Sequence, residues 1–253
     1  MKTQSRDYRM TSIRRSLSRV KKVIVTCSGK GGVGKTVTSA LLAVRLKQIG
    51  FRTGILDLDF GSPAIQYLLG IHEVQIREGA TGILAPEING IKLMSSSFFV
   101  GEAFLSLRGN SKANALREIL SITDWDILDY LIIDMPPGSS DEILELSRVL
   151  QADRRALVIA TPCLLSRTAT VRLLRLLPTI SIAPIGLILN MISDDFIEFM
   201  AYLEHMQLDL PLLAAIPYDL LVPKSVGNVG QLLDTAIGKK SRDIAHAIVS
   251  LWS

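Results

Sequence analysis

Val25-Thr26-Cys27-Ser28-Gly29-Lys30-Gly31-Gly32-Val33-Gly34-Lys35-Thr36 is the stretch on which the fold turns. The β-branched run Val23–Thr26 reads as a strand ending in a glycine-rich turn, and an apolar helix follows from Lys35. Gly29 and Gly34 bracket four residues and precede Lys35 and Thr36, matching the phosphate-loop pattern G-x-x-x-x-G-K-[ST] at every position. Each residue type has a physical reason. Glycines let backbone N–H groups turn inward and approach phosphate oxygens. The following helix adds the positive end of its dipole. Lys35 is expected to reach the β- and γ-phosphates, and the Thr36 hydroxyl to ligate Mg²⁺. Gly29, Lys30, Gly31, Gly32, Val33, Gly34, Lys35, Thr36 and Val37 are therefore the expected triphosphate-binding residues.

Working outward, two further strands end in acids. Thr53–Asp57 runs into Asp57-Leu58-Asp59-Phe60-Gly61-Ser62-Pro63, which places both carboxylates at the sheet edge where open α/β sheets bind ligands. The apolar run Tyr130-Leu-Ile-Ile-Asp134 is a Walker B pattern, with Asp134 directed toward the Mg²⁺ water shell. Pro136, Pro137 and Gly138 then form a stiff turn suited to registering a γ-phosphate. The strand Ile185–Met191 carries Asn190 at its end, whose amide can face the N6/N7 edge of adenine.

The bulk numbers set limits on the class. At 253 residues one large α/β domain is expected, and a 48% hydrophobic share is enough for a sheet covered on both faces. No apolar run reaches membrane-spanning length. Two cysteines, Cys27 and Cys163, cannot build a disulfide framework, and a secretory apolar leader is absent, so a cytoplasmic setting is expected. The net charge of +4 hides an asymmetry: residues 1–22 hold eight basic residues against Asp7 alone, leaving the remainder net negative. The basicity belongs to a tail and not to a nucleic-acid-binding face, so no nucleic-acid partner is expected. The tail, residues 1–20, carries Met10, Ile13, Leu17 and Val20 at helical spacing, and a boundary falls near residue 20, with the domain running over 21–253. A leader helix lying on the domain, a basic segment on an anionic membrane surface and an organellar transit peptide compete there.

The remaining elements read more plainly. Helices are expected over Val37–Ile49, Lys112–Ser121, Asp141–Leu150, Arg167–Leu176 and Asp234–Trp252, the last as one closing helix. Strands are expected at Ile91–Ser97 and Ala156–Thr161. Residues 70–90 carry no chemical signal and read as a variable excursion. The fold class is α/β, a doubly wound and mostly parallel sheet of about seven strands with helices on both faces.

Taken together these motifs resemble one family. Lys30, a second lysine inside the loop, resembles the deviant Walker A loop of the MinD/ParA/Mrp group. Asp129-Tyr-Leu-Ile-Ile-Asp134-Met-Pro-Pro-Gly138 is similar to the Mrp/ApbC version of Walker B. The resemblance runs from about Ile13 to the C-terminus. It implies slow ATP hydrolysis in a nucleotide-sandwich homodimer. Lys30 would act across the dimer like an arginine finger, Lys35 would stabilise phosphate charge, Asp59 would position water, and Asp57 would support the Mg²⁺ shell. It also implies adenine contact at Asn190 and a base-flanking backbone at Pro217. Leu107-Arg108-Gly109 stands where relatives carry W-R-G, with leucine replacing tryptophan.

The chain also departs from the family. Most Mrp/ApbC proteins carry C-x-x-C shortly after Asn-Met and share those thiolates across a dimer to hold a [4Fe–4S] cluster, whereas residues 192–215 contain no cysteine. A cluster is not expected from this chain alone. The leading expectation is an ATPase switch serving iron–sulfur or metallocofactor assembly, with a cysteine-bearing protein partner supplying ligands. A MinD/ParA-type positioning ATPase cycling on a membrane and an ATP-sensing module with little turnover are the alternatives.

Overall fold

The computed structural model describes residues 7–79, 81–100, 110–138, 140–192 and 195–253. The chain enters through α1 (Arg9–Leu17), whose Ile13 and Leu17 point into the core, and continues into β1 (Val20–Cys27). The phosphate loop then leads to α2 (Lys35–Ile49), closed by Gly50 in a left-handed conformation. Strand β2 (Thr53–Asp57) is buried along its whole length and is followed by the single turn α3 (Ile65–Leu68). Three two-residue strands come next, β3 (Arg77–Glu78), β4 (Ile83–Leu84) and β5 (Glu87–Ile88). Then follow β6 (Ile91–Ser95), α4 (Ser97–Val100), α5 (Asn110–Ile122), β7 (Thr123–Asp124) and β8 (Leu128–Asp134). The second half alternates α6 (Ser140–Val149), β9 (Asp153–Ala160), α7 (Leu164–Thr179), β10 (Ala183–Ile192), α8 (Phe196–His205) and β11 (Leu212–Pro217). Short helices α9 (Leu221–Lys224) and α10 (Val229–Asp234) precede the last, α11 (Ala236–Leu251).

Among the described residues the main sheet has eight strands in the order β11-β10-β9-β1-β8-β2-β6-β5, parallel except for the β5–β6 pair. Period-two alternation divides its side chains between two cores. Val23 and Val25 of β1, Leu131 and Ile133 of β8 and Val158 of β9 face one layer, built from α1, α5, α6, α7 and α8. Ile24, Ile132, Leu157 and Ile159 face the other, where α2 and α11 pack. Because α2 lies between the sheet and α11, nine of its fifteen residues are buried, and its sequence is apolar nearly all round.

The sheet has one strand more than expected, and the extra one comes from the stretch expected to be an excursion. Asn89 and Gly90 both have positive φ, 51° and 75°, and turn β5 back onto β6 as a tight hairpin. The neighbouring β3 and β4 form a second, three-stranded sheet with β7. The expected closing helix is split at Thr235, which is extended and accepts a hydrogen bond from the Gly238 N–H to start α11. Helix α7 begins three residues before the expected Arg167 and ends three residues after Leu176, with Pro178 in its last turn. Arg108 and its two neighbours lie outside the described residues. The inner side of α11, including Ile237, Ile244, Ala245 and Ile248, is buried on the domain. Among the described residues no helix is long and apolar enough to cross a membrane.

Candidate functional site

Parallel register does most of the assembly. Thr26 of β1 pairs with Asp134 of β8, and Asp134 pairs with Asp57 of β2, so three polar residues leave the carboxyl edge side by side. A parallel sheet with its connections on both faces gathers such ends in one crevice.

The glycines shape the loop above them. Gly34 caps α2 at φ +87°, a conformation open to glycine at no steric cost. A Cβ at Gly29 would lie 2.6 Å from the Ala169 backbone of α7, so only glycine lets loop and helix meet. Gly34, the N-cap of α2, has no side chain to cap the first turn, which leaves its N–H groups open toward the loop. The switch turn touches the same loop, since the Gly138 N–H donates to the Ser28 carbonyl at 3.3 Å.

Lys35 is 5% exposed, and its Nζ donates to Asp134 Oδ1 at 2.9 Å. That oxygen also accepts from Ser39 Oγ at 2.6 Å and from Thr26 Oγ1 at 3.1 Å. Asp134 is fully buried, and its other oxygen, Oδ2, has no hydrogen-bond partner among the described residues. A buried acceptor without a partner costs about 1–3 kcal/mol unless a cation or donor faces it. Ser39 and Thr26 were not foreseen as site residues. Ser39 could have been found, because it stands four residues beyond Lys35 on the same side of α2.

Asp57 does a different job. Its Oδ1 accepts from the Asp59 N–H at 3.1 Å, and its Oδ2 accepts from the Ala64 and Ile65 N–H groups at 3.0 and 3.3 Å. The carboxyl group thereby holds the loop that carries Asp59. Burial, and next the adjacent Asp134 carboxylate, push Asp57 up to about 7. Asp59 is half-buried, and its Oδ1 accepts from the Gly61 and Ser62 N–H groups. The Thr36 hydroxyl lies 3.5 Å from Lys35 Nζ.

Lys30 stands apart from this network. It is exposed, and its Nζ lies 3.8 Å from Cys163 Sγ. The Thr161 hydroxyl, then the Ser166 backbone and Lys30, hold the Cys163 thiol below its usual range. Cys27 is the opposite case, fully buried, with burial pushing its thiol up to about 12. On the far side of the loop, Gly34, Val37, Asn190, Met191, Pro217 and Tyr218 line a cavity of about 140 Å³. The arrangement thus brings together the loop, Asp57, Asp59 and Asp134 on one side and Asn190 and Pro217 on the other. A phosphate tail and a planar base fit the two ends of such a site.

Comparison with known proteins identifies the family. A family model described as ParA, NUBPL iron-transfer P-loop NTPase, matches residues 19–249. An iron–sulfur cluster carrier protein from Rickettsia bellii is 37% identical over 206 residues, covering 81% of this chain and 63% of that protein. The chain thus spans just under two thirds of the length of that curated relative. Among solved structures, a nucleotide-binding protein from Archaeoglobus fulgidus in complex with ADP aligns with a TM-score of 0.70 at 25% identity, over 92% of each chain. The cell division ATPase MinD of Pyrococcus furiosus aligns with a TM-score of 0.68 at 21% identity, over 91% of this chain and 99% of that one, a likeness of fold.

Proposed function

The chain belongs to the ParA family, as a NUBPL iron-transfer P-loop NTPase, and on that premise we propose that it is a Mg²⁺-dependent ATPase whose turnover drives a dimerisation switch in iron–sulfur or metallocofactor assembly. The observation that carries this reading is Lys35 buried against Asp134 at the mouth of a glycine loop, with Asp134 Oδ2 left without a partner among the described residues. The residues fit a hard divalent cation. A hydroxyl (Thr36) and a carboxylate (Asp134) are the oxygen donors Mg²⁺ takes, while Asp57 holds the neighbouring loop, and among the described residues no cluster of three His, Cys, Asp or Glu would hold it without the nucleotide's own oxygens. When bound, Mg²⁺ supplies neutralisation of phosphate charge.

The chain's own residues divide the rest of the work. The loop N–H groups and the α2 terminus bind the phosphates, and Lys35 follows the charge as it moves to the leaving oxygens. Asp57 orients the Asp59 loop, and Asp59 holds the attacking water. Lys30, exposed and close to Cys163, the residue that precedes the apolar pair Leu164 and Leu165, reaches the second protomer's phosphates. Those two leucines, 67% and 73% exposed at the nucleotide edge, support a face that a second copy covers.

A [4Fe–4S] cluster does not fit this chain as a resident group. Cluster irons take thiolates, the chain has two cysteines, and Cys27 is buried and held protonated. The cluster, or its iron, is therefore cargo, held with a cysteine-bearing partner in the cytoplasm. The name of the Rickettsia relative, an iron–sulfur cluster carrier protein, supports a cargo role for the cluster.

The test is a titration of ATP with and without Mg²⁺, paired with phosphate release and sedimentation. Asp59→Ala is expected to keep ATP affinity within about threefold while turnover falls about 100-fold or more and an ATP-loaded dimer accumulates. Lys30→Ala is expected to bind ATP as a monomer and to lose hydrolysis. Normal turnover in the Asp59 variant would move water activation to another residue. Failure of the wild type to bind ATP would remove the reading entirely.

A further inference from the structure

The phosphate loop is held from a direction its motif does not include. Asn190, at the end of β10 and 6% exposed, donates from Nδ2 to the Val33 carbonyl at 2.9 Å. The two residues are 157 positions apart in sequence. The same Nδ2 occupies the space that a Cβ at residue 34 would need, 2.3 Å from where that atom would be. Gly34 is thus glycine for two reasons, its φ of +87° and the amide pressed against it. Met191, next along β10, has a positive φ of 55°, an uncommon conformation for a non-glycine residue that bends the chain just past the Asn190 side chain.

We propose that Asn190 is a positioning residue for the phosphate grip: by holding the Val33 carbonyl it sets the peptide that presents the Gly34 N–H, and so couples the base cavity to the phosphate loop. The inference rests on the nucleotide-site reading above. A carbonyl pulled toward β10 turns the N–H of its own peptide the opposite way, because the peptide unit is planar. That N–H is thereby turned away from β10, free to be one of the loop donors to a phosphate oxygen. The bond to Val33 also settles which way the amide points. Nδ2 is committed to the loop, and Oδ1 is the atom left to accept a hydrogen bond from a base in the 140 Å³ cavity that Asn190 lines. Filling the cavity and gripping the phosphates therefore draw on one side chain.

A ligand without a base separates positioning from base contact. Inorganic tripolyphosphate and ATP, each with Mg²⁺, would be titrated calorimetrically into the full chain and into Asn190→Asp. That variant keeps the shape but turns an oxygen toward the Val33 carbonyl. Loss of a hydrogen bond that orders the loop is expected to weaken tripolyphosphate about tenfold. The Gly34 amide resonance should move in the ligand-free variant. Unchanged tripolyphosphate affinity, whether or not ATP weakens, overturns the proposal, since Asn190 would then act on the base alone or not at all. Asn190→Ser, smaller and neutral, is read by the same criterion should the carboxylate variant not fold. A wild-type chain that binds neither ligand instead overturns the nucleotide reading, and the proposal with it.

Discussion

Strand β8 carries an aspartate near each end, and the two have opposite fates. Asp129 stands second in the strand, at the amino edge, where Lys21 and Arg52 approach it at 2.9 and 3.0 Å with side chains 66% and 52% exposed. Asp134 closes the strand five residues later with no exposure, facing a lysine that is 5% exposed. The chemistry of the two pairs is the same and the solvent is not. In water an ion pair gains little, commonly under about 1 kcal/mol, because the charges were already well solvated. In the interior neither partner can be left alone, since an uncompensated buried charge costs about 3–5 kcal/mol. One strand thus shows that a carboxylate's surroundings, not its type, separate a surface fastening from a working site.

The largest test of that contrast is at the buried end. Lys35→Ala and Asp134→Ala should each lower unfolding free energy by about 3–5 kcal/mol in urea titration and abolish ATP binding or hydrolysis. The double change Lys35→Met with Asp134→Leu should recover most of that stability, because it removes both charges and keeps the volume, while binding stays lost. A double variant as unstable as the singles would break the comparison. It would mean that the pair is needed for the fold and not only tolerated by it.

How much of this was legible depends on which forces write themselves into a short stretch. The phosphate loop, β2 at Thr53–Asp57 and the acid-ended β8 were readable, because each joins an apolar run to a polar end within a dozen residues. The contacts that finish the site were not, since they join residues far apart in sequence: the hydrogen bonds of Asn190 to Val33 and of Thr26 to Asp134, and the close packing of Gly29 on Ala169. Strands of two residues have no period to detect, which hid β3, β4 and β7. Two signals were present and passed over. Asn89-Gly90 is the dipeptide a tight hairpin wants, and Thr235 three residues before Gly238 is a helix N-cap.

Packing sharpens the contrast at an intermediate scale. Gly29→Ala would push a Cβ against the Ala169 backbone and should cost about 1–3 kcal/mol by overpacking, with ATP affinity falling alongside, measured by thermal denaturation and calorimetry. Stability loss without affinity loss would show that α7 yields and the loop does not.

The smallest effect belongs to the amino edge. Hydrogen bonds from Arg52 first, and also from Lys21, hold Asp129 well below the usual carboxylate range. A lowered acid contributes stability above its unfolded value of about 4 and loses it as pH falls through the folded value. Asp129→Asn should therefore cost under about 1 kcal/mol at pH 7, less in high salt, and the gap to wild type should narrow in acid, with ATP turnover unchanged. A larger loss, or one insensitive to salt, would make the two ends of β8 more alike than their burial suggests.

The short hairpin at Asn89-Gly90 has a consequence for the behaviour of the whole molecule in concentrated solution. Strand β6 would otherwise offer a row of unpaired peptide groups to any passing chain. Instead β5 covers its first residues, and the Pro86 carbonyl accepts from the Leu93 N–H at 2.8 Å, while Pro86 itself has no N–H to give. The edge that a stranger's strand would meet at that flank is only two residues long and flanked by a proline, a short and awkward template for edge-to-edge pairing.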